Sequence, residues 1–384
     1  MNSLKSLFLI DENITYLNHG SFGACPKPIF NGFIKWQYQL EKNPIQFLDN
    51  DLQKNIYNSQ VALGEFINCS PDDIVFFQNP TTAINEVIRN LNLKPNDEIL
   101  SSNHEYGAMD KAWEFISKKT GAKYKKVKLP YPIYSDDEFS TYFEKCITEN
   151  TKIIFISHIT SATGLVFPIK NIIDLARKKN IISIIDGAHV PGQIPLKINE
   201  LNPDYYTGTC HKWLLCPKGT SFLFVNKKYQ NSINPLIISW GYNNERVFHT
   251  KFQDEHLWQG TRDVSPFLTI PQAIDFRMTY DWGLVSEKCR NRIRLLSVEL
   301  KDKFNLEFAF KENPEKWLAQ MLSFQLPNPP SDIEKIKLLL SKQNITIPVF
   351  EWENKLFIRI SLNGYNSEND IQKLIDLLPI IIKY

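Results

Sequence analysis

The chain has no C-x-x-C pair: its six cysteines stand at 25, 69, 146, 210, 216 and 289. That spacing excludes the usual zinc knuckles and offers no disulfide framework, so reduced thiols in the cytoplasm are the expectation. Nor does any run approach the roughly 18 consecutive apolar residues of a membrane span. The first ten residues hold only a four-residue apolar run, Leu7 to Ile10, too short for the apolar region of a signal peptide. Charge of one sign is also missing, since 44 basic and 42 acidic residues leave a net +2. Without a domain-wide basic excess, nucleic acid is not the expected partner. The basic run Lys123–Lys128 reads as a solvated edge. Histidine clusters are lacking too. A metalloprotease helix needs H-E-x-x-H, and after His104-Glu105 the second histidine position is Ala108.

What is present is an alternation. With 384 residues, 43% of them hydrophobic, the chain is long enough for two packed lobes. Apolar runs at Ile74–Phe77, Ile99-Leu100, Ile153–Ile156, Ile181–Ile185, Tyr205–Gly208 and Ser221–Val225 read as strands. Helical periodicity over Ile29–Phe66, Thr81–Leu91, Ala108–Lys119 and Ile172–Lys179 separates them. This pattern predicts an α/β fold, a mostly parallel sheet flanked by helices. After about Gln259 the order changes to a long helix over Val285–Lys303, runs at Met321–Leu326 and Leu356–Ile360, and helices from Ile333 and Asn369. Prolines at 327, 329 and 330 mark a loop there. The expected partition is an N-terminal segment 1–28 with a glycine-rich turn at Asn18–Gly23, a large domain 29–258, and a smaller α+β domain 259–384.

Within that frame, Lys212 closes the string Thr209-Cys210-His211-Lys212-Trp213 at a strand end. Asp186 opens DGAHVPGQIPL, 26 residues earlier (212 − 186). Alone, the lysine would be a solvated surface residue and the aspartate a strand-end cap. Together they are what pyridoxal phosphate (PLP) chemistry needs: an amine to form the Schiff base and an acid to keep the pyridine nitrogen protonated. Ligands of parallel sheets sit at the carboxyl ends of the strands, where the other candidates also fall. Thr81 and Thr82 open a helix whose amides and hydroxyls suit a phosphate. Thr209 and His211 place a hydroxyl and an imidazole near the same group. His189 lies close enough to Asp186 to reach the phenolic oxygen. Arg359 offers a planar fork for a substrate carboxylate.

Six strings recur in order: LNHGSFGACPKPI from Leu17, NPTTAIN from Asn79, NHEYGA from Asn103, SHITSATG from Ser157, DGAHVPGQIPL from Asp186 and TCHKW from Thr209. With them the chain resembles the class V aminotransferase family of fold-type I PLP enzymes over nearly its full length, most of all the isopenicillin N epimerase-like branch. The resemblance implies that Lys212 forms the Schiff base and Asp186 pairs with the pyridine nitrogen. It gives His189 and Ser161 the phenolic oxygen, and Thr81, Thr82, Thr209 and His211 the phosphate. Tyr106 would stack on the ring. Gly260 and Thr261 would reach the phosphate of the neighbouring subunit of a homodimer. Arg359 would bind the substrate carboxylate, while Asn18 and His19 line the substrate pocket. One departure concerns the desulfurases of the family, which carry a nucleophilic cysteine shortly before that arginine. Here the stretch 345–355 has none.

The implied activity is α-proton abstraction from an amino acid or its derivative, ending in epimerisation or C–S lysis. Transamination is the alternative. Epimerisation needs a second acid, for which Tyr106 and His19 are the candidates. A non-catalytic PLP-fold binding protein is the rival of another class.

Overall fold

The apolar runs form a seven-stranded sheet: β1 (Ile74–Phe77), β2 (Glu98–Ser102), β3 (Lys123–Val127), β4 (Thr151–Ser157), β5 (Ile182–Gly187), β6 (Tyr205–Thr209) and β7 (Ser221–Val225). The computed structural model describes residues 4–243, 248–327 and 333–383. Strand order is β1-β7-β6-β5-β4-β2-β3. Strands β2 to β6 pair in parallel, and β7 runs antiparallel to both β6 and β1. Successive side chains of β4 go to opposite faces. Ile153 and Phe155 join one buried cluster, Ile154 and Ile156 the other. Burial on both faces is why these strands read as unbroken apolar runs rather than alternating ones.

Helices α1 (Pro80–Asn90) and α2 (Gly107–Thr120) cover the first face with Ile84, Val87, Met109 and Trp113. The other face packs on Leu63, Ile67, Ile172 and Ile270. The periodicity over Ile29–Phe66 resolves into helices Lys27–Lys42 and Leu52–Ile67, joined by the π-helical turn Gln46–Asp51. Pro44, which lacks an N–H and crowds the preceding turn, accounts for the break. The basic run at Lys123 is indeed an edge, but a paired one: β3 hydrogen-bonds to β2 alone and carries its lysines outward.

Beyond Gln259, helices Ser265–Leu268 and Ile270–Thr279 pack back on Lys27–Lys42 and Leu52–Ile67. The long helix α3 (Trp282–Phe304) then leads to an antiparallel sheet of β8 (Glu307–Phe308), β9 (Met321–Gln325), β10 (Val349–Trp352) and β11 (Lys355–Ser361). Its order is β10-β11-β9-β8. Glu353 and Asn354, both at positive φ, make the tight turn between β10 and β11. The N-terminal segment is stitched to this sheet. Thr15–Tyr16 pairs in parallel with Ile345–Thr346, and Ser361 N–H donates to Leu17 O at 2.9 Å. Pro329 and Pro330 lie outside the described residues. Among those described, no helix is long and apolar enough to cross a membrane.

Candidate active site

The carboxyl ends of the strands converge on one cavity of about 320 Å³. Ser157 ends β4, Asp186 stands at the end of β5, and Thr209 ends β6; all three line it. The β1–α1 junction adds Asn79, Pro80 and Thr81, and the N-cap of α2 adds Tyr106. From the other direction come Gly20, Ser21 and Phe22 of the N-terminal segment and Arg359 of β11.

Lys212 follows β6 and turns its amine into this cavity, 3.3 Å from His189 Nε2. Burial, reinforced by the charge of Arg359 and opposed by Asp186, lowers its pKa to about 7. The amine is therefore about half unprotonated near neutral pH. Trp213 fixes the facing imidazole, because its indole N–H can only donate and points at His189 Nδ1 over 3.4 Å. That leaves the His189 proton on Nε2, toward Lys212. Burial, then the charges of Lys212 and Arg359, push His189 well below the usual histidine range, so the ring is neutral. Asp186 is buried beneath them and accepts the Ala188 N–H at 2.9 Å. Burial raises its pKa, while that bond and the Lys212 charge act the other way.

At the opposite end, Asn79 caps α1, accepting the Thr82 N–H at 2.9 Å and the Thr82 hydroxyl at 3.1 Å. Thr82 thus belongs to the cap and does not line the cavity, whereas Thr81 does. The Thr209 hydroxyl is buried in the cavity wall with no hydrogen-bond partner. An orphaned hydroxyl beside a helix N-terminus fits a phosphate that completes it. His211, neutral because burial lowers its pKa to about 4, lines the same region. Amine, buried acid, orphan hydroxyl and helix start together fit the PLP molecule.

Arg359 is buried, and burial lowers its pKa only to about 10, so it stays charged. Nη1 donates to Ser161 O at 2.6 Å and lies 3.2 Å from Ser161 Oγ; Nη2 donates to Ser21 Oγ at 3.0 Å. Its Nε–H is buried and has no partner. Ser161 therefore stands beside the guanidinium at the cavity edge.

Besides Thr82, four of the predicted residues are not brought to the cavity. His19 is fully buried behind it, with Nδ1 2.9 Å from Tyr365 Oη and Nε2 3.0 Å from Lys212 O. Burial lowers its pKa to about 3, so it is a neutral support under the lysine's backbone. Asn18 accepts the Ser21 hydroxyl at 2.6 Å and likewise stays outside. Gly260 and Thr261 stand exposed on the surface of the chain. In the stretch 345–355, the place of a cysteine-bearing loop is taken by the β10–β11 hairpin. Trp352 at its end donates to Asn103 O at 3.1 Å and packs on His104, with ring centroids 4.6 Å apart.

Other residues build the site without having announced themselves. Arg277 donates to Trp213 O at 2.8 Å and to Gly192 O at 2.9 Å, tying the loop after Lys212 to the loop after His189. Gly23 has φ +68°, and a Cβ there would stand 2.2 Å from His211 O. Only glycine lets the N-terminal segment approach the lysine so closely. Asn79 had a readable signal, an Asn-Pro-Thr-Thr cap before a helix. Arg277, remote in sequence and inside a helix, had none.

The family model described as Aminotransferase class-V matches residues 38–374. An isopenicillin N epimerase of Amycolatopsis lactamdurans is 30% identical over 97% of this chain and 96% of its own. A probable chloroplastic L-cysteine desulfhydrase of Arabidopsis thaliana is 26% identical over 97% of this chain and 84% of its own. Among solved structures, a mutant of C-DES with glycine covalently linked to its PLP cofactor superposes with a TM-score of 0.84 at 21% identity, covering 97% of this chain and 98% of that one. The chain belongs to the class V aminotransferase family, and its fold is that of the PLP-dependent transferases. It is a PLP-dependent enzyme.

Proposed function

We propose that Lys212 is the base that removes the α-proton of an amino acid or amino-acid derivative, and that the reaction closes by epimerisation or by C–S β-elimination. The observation that carries this reading is the Lys212 amine, with its pKa brought to about 7 in a cavity that holds Asp186 and Arg359. When bound, PLP supplies an electron sink through its protonated pyridine nitrogen. Asp186 is the acid that would hold that proton, and His189 Nε2–H the donor for the phenolic oxygen. Thr81, Thr209 and His211 would hold the phosphate, with Thr82 contributing through the α1 cap. Tyr106 would cover the ring. Lys212 would anchor the cofactor, and its amine, once free, would take the α-proton. Arg359 would fix the substrate carboxylate, and Ser161 and Ser21 hold Arg359.

Relatives carry both epimerase and desulfhydrase names, and both reactions begin with this proton. They part at the next one. Epimerisation returns a proton from the opposite face, and of the two candidate acids only Tyr106 lines the cavity. Elimination needs only a leaving group. Amino acids, among them cysteine and cystine, are incubated in deuterated water and followed for α-deuteration, D-product, sulfide and keto acid. A Tyr106→Phe variant that loses D-product supports epimerisation; sulfide release that survives it supports lysis. Keto acid without sulfide, dependent on an amino acceptor, indicates transamination. The reading fails if no amino acid exchanges its α-proton in a Lys212-dependent way.

A homodimer with shared sites is part of the same proposal. Gly260 and Thr261 lie exposed, not far along the chain from Ile237, Ile238 and Trp240, the last 84% exposed. Apolar surface of that kind suits a second copy, with Thr261 reaching the partner's phosphate. A monomer by light scattering that still turns over would refute it.

A further inference from the structure

Beside Tyr106 lies a carboxyl group that the chemistry above does not use. Glu105 is only 5% exposed. Its Oε1 lies 2.5 Å from Ser102 Oγ, and its Oε2 accepts the Ser157 N–H at 2.9 Å and the Ser157 hydroxyl at 2.6 Å. Ser102 ends β2. Ser157 ends β4, in register with Asp186 on β5. One carboxyl group therefore joins two strand ends and the turn that presents Tyr106.

No described cation pairs with it. Its partners are two hydroxyls and an amide, and the charged groups that face it, Asp186 and Asp110, are both acids. Ionised, Glu105 would be an uncompensated buried anion next to another. Burial foremost, with the two acids adding to it against the serine hydrogen bonds, raises its pKa to about 8. In the neutral form a proton on Oε1 can donate to Ser102 Oγ, reversing the bond that the Ser102 hydroxyl makes to the ionised form, and Oε2 still receives both Ser157 donors. A second negative charge there would favour protonation of Asp186 and so weaken its hold on the pyridine nitrogen.

We propose that Glu105 is a positioning residue of the cofactor site that works as a neutral acid, fixing the Tyr106 turn and the Ser157 strand end and placing no second negative charge beside Asp186. The inference rests on this cavity being the PLP site. Glu105→Gln copies the neutral acid, since its amide donates to Ser102 and its oxygen accepts from Ser157. Glu105→Ala removes all three bonds. Apoprotein of each is titrated with PLP at pH 7 and followed by cofactor absorbance. The glutamine variant is expected within about threefold of wild type, and the alanine variant weaker by about tenfold or more, as for lost buried hydrogen bonds. A glutamine variant as weak as alanine overturns the neutral-acid role, and an alanine variant of wild-type affinity overturns the positioning role. Should the alanine variant not fold, infrared difference spectra decide. Wild type at pH 7 must show a protonated-carboxyl band that Glu105→Gln lacks, and its absence overturns the proposal. This band needs no cofactor. A failure of the PLP reading, seen as a cofactor band that survives Lys212→Ala unchanged, is thus told apart.

Discussion

Replacing Lys212 with methionine should make the apoprotein more stable, by an amount that shrinks as pH rises. The lysine's pKa falls from 10.5 to about 7 on folding, chiefly because the amine is buried. Between those values the unfolded chain binds a proton that the native chain has given up. Stability therefore climbs with pH across that window, and the full penalty stands below it. At about 1.4 kcal/mol per pKa unit, the penalty is about 4 kcal/mol at pH 7 and about 2 kcal/mol at pH 9. Methionine fills similar volume without the charge, so the variant should recover most of this at pH 7. Part is given back, because the Lys212 charge also holds the buried Asp186 carboxyl down. The double variant with Asp186→Asn removes that part. Urea unfolding of the cofactor-free proteins at both pH values is the assay. A variant no more stable than wild type at pH 7, or a gap that does not narrow at pH 9, would refute the claim that folding strips the proton from Lys212.

Two further outcomes follow from the same geometry. Arg277→Met should destabilise the protein by about 2–4 kcal/mol in urea unfolding, because two buried carbonyls, of Trp213 and Gly192, lose charge-assisted donors; an unchanged midpoint would show the clamp to be idle. Arg359→Lys should keep the cofactor band but lower kcat/KM for an amino-acid substrate about ten- to a hundredfold, since lysine keeps the charge and loses the planar fork. Loss of the band, or unchanged kcat/KM, would place the carboxylate elsewhere.

Lys212, Asp186 and Thr209 were legible because a strand's carboxyl end is a local feature: the apolar run stops, and the next polar side chain faces the ligand side of the sheet. His19 was misread for an equally local reason. In the short helix His19–Phe22, one turn sends Gly20, Ser21 and Phe22 to the cavity and His19 behind it, against the carbonyl of Lys212. A motif places the segment at the site but not each face of it. Thr82 shows the same limit, one residue beyond Thr81 and turned into the cap. Glu105 and Arg277 act by bonds to Ser157 and to Trp213, 52 and 64 residues away. No periodicity encodes such contacts. The lysine-rich β3 was hidden because an edge strand needs only one ladder and little apolar pattern.

Arg359 links binding to basicity. Its charge is the second cause, after burial, of the low pKa of Lys212. On the proposed reading, a substrate carboxylate bound to Arg359 cancels that charge. Lys212 then loses the repulsion and becomes a stronger base. Without a substrate, the same field keeps the amine's pKa low, so that about half of it is unprotonated near neutral pH and ready to hold the cofactor. One arginine would thus serve both states with opposite effects on the lysine, since β11 carries it into the cavity that Lys212 lines. A compound without a carboxylate would leave the field in place and meet a weaker base, so the preference for amino acids would lie in the chemical step as well as in binding.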